Sequence, residues 1–106
     1  MRAKNEVHGS KTGRPIMRLL DLLGRRWALR LCYELGSGPV AFSELEQRCE
    51  SISPSVLSQR LRELCEGKLV MVDEDGAYTF TNHGRGIGKV LAELDRRAKA
   101  WAKTLD

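Results

Sequence analysis

The chain has no apolar run long enough to cross a bilayer or to serve as a signal peptide, so it is expected in the cytoplasm and away from membranes. Cysteine is scarce: Cys32, Cys49 and Cys65 form no C-x-x-C pair, and their odd number argues against a disulfide framework. Each lies on or one turn from an apolar stripe, so all three are expected to be small core residues rather than sensors. Histidine is scarcer still. His8 and His83 have no metal-ligand or nucleophile spacing with the cysteines or with each other. No catalytic residue, metal or cofactor is therefore expected. The glycines of Gly84-Arg85-Gly86-Ile87-Gly88 follow a strand-like segment and open a helix. The spacing is G-x-G-x-G, however, no βαβ unit surrounds it, and no Lys-Ser/Thr pair of a P-loop follows. They read as a loosened helix entry, and a nucleotide-dependent enzyme becomes remote.

What is present is one domain's worth of chain. At 106 residues it can bury roughly two thirds of its unfolded surface, and 42% hydrophobic with 30% charged residues is the balance of a soluble globular protein. The net charge of +4 conceals an asymmetry. Residues 1–30 carry a net +6, residues 31–81 a net −5 and residues 82–106 a net +3. Basic ends suit a polyanion touched by the arms, or simply solvated termini.

Residues 1–14 lack apolar periodicity and are expected to form a basic flexible arm, with one folded unit over 15–106. Pro15 can open a helix whose stripe Ile16, Leu19, Leu20 and Leu23 stops at Gly24. After Arg25 and Arg26, the residues Trp27, Ala28, Leu31, Cys32 and Leu35 recur at helical spacing until Gly36-Ser37-Gly38-Pro39. Val40 and Ala41 follow as a token strand. Ser43 and Glu46 have the spacing of a capping box, which starts a third helix running to about Cys49.

The stretch Ile52 to Cys65 is the centre of the reading. Ser53 can cap the first turn, Pro54 fits the first helical position, and Ile52 with Leu57 can staple the entry. Leu57, Leu61, Leu64 and Cys65 fall on one face; Ser55, Gln59, Arg62 and Glu66 fall on the other. Hydroxyl, amide and guanidinium near a helix N-terminus can read base edges. The same face could equally be a solvated surface stitched by Gln59–Glu63 and Arg62–Glu66 pairs. The short connection from Glu50 to Ser53 forces this helix and the third to cross steeply, as in a helix-turn-helix, and favours the reading of bases.

Leu69–Val72 and Ala77–Phe80, joined by Asp73-Glu74-Asp75-Gly76, are expected to form a hairpin with Tyr78 and Phe80 on one face, a wing. Beyond Thr81 and Asn82, either of which can cap, the longest helix runs to about Leu105. Its residues Ile87, Leu91, Leu94, Ala98, Trp101 and Leu105 form a heptad-like seam longer than the small core can cover. With Ile16, Leu19, Leu20 and Leu23, the seam is expected to bury against a second copy. The expected class is α+β, mostly α: a winged helix-turn-helix with dimerisation helices at both ends.

Four segments resemble, in this order, the HxlR-type family of winged helix-turn-helix transcriptional regulators. They are Leu22-Leu23-Gly24-Arg25-Arg26-Trp27, Gly38-Pro39-Val40-Ala41-Phe42-Ser43-Glu44-Leu45, Ile52 through Leu64, and Tyr78-Thr79-Phe80-Thr81-Asn82-His83-Gly84. The resemblance covers Pro15 to about Trp101. It implies a homodimeric regulator that binds double-stranded DNA, with Ser55, Ser58, Gln59 and Arg62 on its recognition helix. Family members that sense electrophiles use a cysteine just before the Pro15 position; here Arg14 stands there. The family wing is usually longer and basic, whereas this tip carries three carboxylates.

The combined expectation is base reading by Ser55, Val56, Gln59 and Arg62, and backbone contact by Ser43, Ser58, Arg60, Arg25 and Arg26. Two such heads would read an inverted repeat and repress by occlusion, with an unidentified small molecule as a conceivable effector. The alternative is a winged-helix module that binds another protein.

Overall fold

The computed structural model describes residues 13–106, so nearly all of the expected basic arm lies outside the described residues. Helix α1 (Pro15–Leu23) opens with proline at its first position and ends at Gly24, whose N–H donates to the Leu20 carbonyl at 2.8 Å. Helix α2 (Ala28–Leu35) is preceded by Trp27 at φ +77°, a left-handed conformation uncommon for a bulky residue. The Trp27 ring is partly buried against the core, and the Arg26 guanidinium lies 5.9 Å from its centroid. Helix α2 is the hub, packing against α1, a third helix, the hairpin and the last helix.

Helix α3 (Phe42–Arg48) corrects the capping-box expectation. Ala41 occupies the N-cap, no side chain caps the helix, and Ser43 lies inside the first turn. Phe42, half-buried against the core, draws the helix start forward and leaves the Ser43 hydroxyl in solvent. Helix α4 (Pro54–Glu66) begins as expected, with Ser53 Oγ accepting from the Val56 N–H at 3.3 Å. Lys68 at φ +62°, not Gly67, takes the left-handed position, and the Lys68 and Leu69 N–H groups donate to Cys65 and Leu64 at 3.0 and 3.1 Å. Gly67 is glycine for another reason: a Cβ there would meet Leu22 Cδ2 at 2.6 Å.

Strands β1 (Val70–Val72) and β2 (Tyr78–Phe80) pair antiparallel with Val70 opposite Phe80, and Val40 bridges to Tyr78 as the token third strand. Thr81 joins the parts. Its hydroxyl donates to the Lys68 carbonyl at 2.7 Å and accepts from the Gly84 N–H at 3.0 Å, capping α5 (Asn82–Ala102), which a short 3₁₀ turn extends to Leu105.

The core comprises Leu31, Leu35, Val40, Leu45, Leu57, Leu61, Leu64 and Val70 with Cys32 and Cys49, all nearly or fully buried. Leu23 belongs here too. It was expected to face a partner along with Ile16, but it lies at the inner end of α1, where the helix turns onto α2. It is a core residue of this chain. The glycine cluster is also settled by packing: Gly84 and Gly88 let α5 lie against the Leu69 carbonyl and the Phe80 ring.

Candidate nucleic-acid interface

Helices α3 and α4 are joined by Cys49–Ser53, a turn held by the Cys49 N–H donating to Leu45 and the Ile52 N–H to Cys49. Leu57, Leu61 and Leu64 bury one face of α4 completely, and Ile52 is buried just before it. This fixes the rotation of the helix about its axis, and the opposite face follows: Ser55, Ser58, Gln59 and Arg62 are exposed, with Val56 and Arg60 partly covered. Cys65 is half-buried at the edge of the core.

The exposed face is internally bonded. Gln59 Nε2 donates to Glu63 Oε2 at 2.8 Å, and Arg62 Nη1 donates to Gln59 Oε1 at 2.7 Å. Arg62 thus turns back to Gln59 rather than forward to Glu66. Arg25, from the α1–α2 corner, reaches Glu63 Oε2 at 3.2 Å, and Arg60 reaches the same carboxylate at 3.3 Å. Arg60 Nε also donates to the Arg26 carbonyl at 2.8 Å. Glu63, with only 14% of its side chain exposed, is the residue on which these contacts converge. Burial pushes its carboxyl up, but hydrogen bonds from Gln59 and Arg25 and the charges of Arg25 and Arg60 outweigh this, leaving it below the usual glutamate range. From sequence, Glu63 was legible only as a helical neighbour of Gln59.

The residues expected at the DNA backbone divide. Ser43, Ser58 and Arg26 are exposed; Arg25 and Arg60 are partly covered and already engaged with Glu63. Arg18, Asp21, Arg25, Gln59, Arg62 and Glu63 border a cleft of about 560 Å³ between α1 and α4. Two successive helices, the second presenting an amide and a guanidinium on its exposed face, followed by a hairpin, have the layout of a winged helix-turn-helix.

Residues 22–106 match the family described as HxlR-like helix-turn-helix. The chain belongs to that family. Among its relatives, YvaP of Bacillus subtilis, named as an uncharacterized HTH-type transcriptional regulator, is 33% identical over 88 residues, spanning 77% of this chain and 82% of that one. YodB of Bacillus subtilis, an HTH-type transcriptional regulator, is 32% identical over 77% of this chain and 75% of its own. The crystal structure of quinone-bound YodB superposes with a TM-score of 0.72 at 30% identity, covering 84% of this chain and 96% of that one. The HxlR-like chain is thus a DNA-binding transcriptional regulator of the helix-turn-helix type.

On this HxlR-like scaffold the wing is short. Asp73 Oδ1 accepts from the Asp75 and Ala77 N–H groups, both at 2.9 Å, and Gly76 at φ +82° completes the turn, leaving Glu74 and Asp75 in solvent. The seam residues of α1 and α5 separate into two sets. Leu19, Ile87 and Leu91 are half-buried against the chain's own core, whereas Ile16, Leu20, Leu94, Ala98, Trp101 and Leu105 are exposed. Leu29, Tyr33 and Val90, which the periodicity did not single out, are exposed beside them. Cys32 and Cys49 are buried, and burial pushes the Cys32 thiol up to about 11 and the Cys49 and Cys65 thiols upward. No helix among the described residues is long and apolar enough to cross a membrane, and no group of three metal-ligating side chains occurs among them.

Proposed function

We propose that the protein is a homodimeric, sequence-specific transcriptional repressor that reads an inverted repeat in duplex DNA through two copies of α4. The observation that carries this reading is the exposed polar face of α4, where Ser55, Gln59 and Arg62 project from a helix whose other face is locked into the core. Val56 lies at the edge of that face. Arg26, Ser58 and Ser43 are the backbone contacts open to phosphate, with Arg25 and Arg60 joining once released from Glu63.

The exposed apolar residues support pairing of two copies: Leu94, Trp101 and Leu105 are each about three-fifths exposed on a helix too long for its own core. A surface of that kind in a small domain needs a partner, and a twofold axis along α5 would set the two α4 helices on one side. Successive major grooves then require half-sites roughly 34–36 Å apart. The exposed acidic tip, Glu74 and Asp75, would be repelled by phosphate and sits away from the duplex. The effector reading rests on the apolar groove between α2 and α5, about 710 Å³, bordered by Leu29, Tyr33, Leu91 and Leu94.

Selection of bound fragments from a random duplex pool, followed by titration at two salt concentrations, tests the reading. A palindromic pool, steep loss of affinity with salt and a sedimenting dimer are expected. Gln59→Ala and Arg62→Ala should each lose discrimination at one base pair per half-site, about 1–3 kcal/mol. An unselected pool with flat salt dependence would instead favour a winged-helix module for a protein partner.

A further inference from the structure

The hydrogen bonds around Glu63 have a consequence for specificity. A glutamine amide offers two N–H donors and an oxygen with two lone pairs. In Gln59, Glu63 takes one donor at 2.8 Å and Arg62 occupies one lone pair at 2.7 Å. One donor and one acceptor remain, the number that a bidentate contact to adenine N7 and N6 requires. The sense of the amide is also set. Turned over, its oxygen would face the Glu63 carboxylate and its NH₂ the Arg62 guanidinium, and both contacts would be repulsive.

The same carboxylate engages Arg25 at 3.2 Å and Arg60 at 3.3 Å. Two guanidiniums next to the reading face are thereby kept from acting as free phosphate contacts, which would bind any sequence alike. We propose that Glu63 is a specificity-determining positioning residue: it fixes the orientation of the Gln59 amide and withholds Arg25 and Arg60 from indiscriminate phosphate binding. This rests on α4 being the DNA-reading helix.

The test compares the full-length protein with Glu63→Ala, Glu63→Gln, Gln59→Ala and the Gln59→Ala/Glu63→Ala double variant on the selected operator and on random duplex. In Glu63→Ala the preference at the base pair assigned to Gln59 should fall about tenfold. The slope of log affinity against log salt on random duplex should steepen by about one to two, about one for each guanidinium released to phosphate. Glu63→Gln keeps an oxygen for Gln59 but no charge, so it should retain the base preference and show only the steeper slope. Because Glu63 acts through Gln59, removing it after Gln59→Ala should leave the base preference where Gln59→Ala alone put it.

Wild-type selectivity with an unchanged base profile and salt slope in Glu63→Ala overturns the role of Glu63 and leaves α4 as the reader. Full additivity in the double variant overturns it too. Absence of any wild-type preference overturns the underlying reading, so the two failures are distinguishable. The isosteric Glu63→Gln keeps the salt-slope measurement in hand should the alanine variant fold poorly.

Discussion

Alanine scanning of the three glycines that open α5 should give three different signs or sizes, each set by what a methyl group would meet. At Gly84 a Cβ would fall far inside van der Waals contact with the Leu69 carbonyl oxygen and 2.8 Å from Phe80 Cδ1. Backbone cannot swing aside as a side chain can, so helix and hairpin must separate. Overpacking of this kind costs about 1–3 kcal/mol, which the gain of up to about 1 kcal/mol in helix propensity only partly offsets. At Gly88 the nearest atoms belong to the Phe80 ring alone, at 2.9 Å, so a small ring shift should bring the balance near zero. At Gly86 nothing lies within 4 Å, and Gly86→Ala should stabilise by about 0.5–1 kcal/mol. In a domain this size about 1 kcal/mol moves Tm by about 4–8 °C, so calorimetry at one protomer concentration resolves the series. The predicted order is Gly86→Ala above wild type, Gly88→Ala near it and Gly84→Ala well below. A Gly84→Ala protein as stable as wild type would refute the close approach of α5 to the Leu69 carbonyl.

Other expectations follow from single groups. Ser53→Ala removes the cap on Val56 and should cost about 1 kcal/mol, with operator binding weakened because the frayed turn carries Ser55; unchanged melting would remove Ser53 from the cap. With its thiol at about 11, Cys32 should be thiolate to roughly one part in a thousand at pH 8, against roughly a quarter for a free cysteine, so native-state iodoacetamide labelling followed by mass mapping should leave it unmodified. Labelling as fast as in urea would contradict its burial. Glu63 lies below the ordinary glutamate range, so its contribution to stability is present above that range and is lost as pH falls through its lowered folded value. Denaturant midpoints should therefore show no Glu63-dependent change from neutral pH down to the ordinary glutamate range, and the gap between wild type and Glu63→Ala should close only below that range. A gap that closes near neutrality would remove the Arg25 and Arg60 contacts from the account.

How far these features were legible from the chain alone depends on how local their causes are. The start of α4 was readable because Ser53, Pro54 and Leu57 act within one turn, and its buried face because leucines at 57, 61 and 64 repeat at the helical period. Ser43 misled for the complementary reason: its spacing to Glu46 fits a cap, but burial of Phe42, a tertiary demand, decided where α3 begins. Lys68 rather than the adjacent Gly67 takes the left-handed position, and a Cβ at Gly67 would crowd the end of Leu22. Leu23 shared a stripe with Ile16, and only the turn of α1 onto α2 tells the inner residue from the outer. The Gln59–Glu63 bond is four residues long and could be anticipated, but the Arg25–Glu63 pair spans 38 positions, and no periodicity connects such residues. The exposed polar positions of α4 were therefore visible from the sequence. The Arg25 contact beside Gln59 depends on the α1–α2 corner folding back onto α4, so under the proposed roles a substitution at Glu63 or Arg25 is predicted to alter which DNA is read without touching a base.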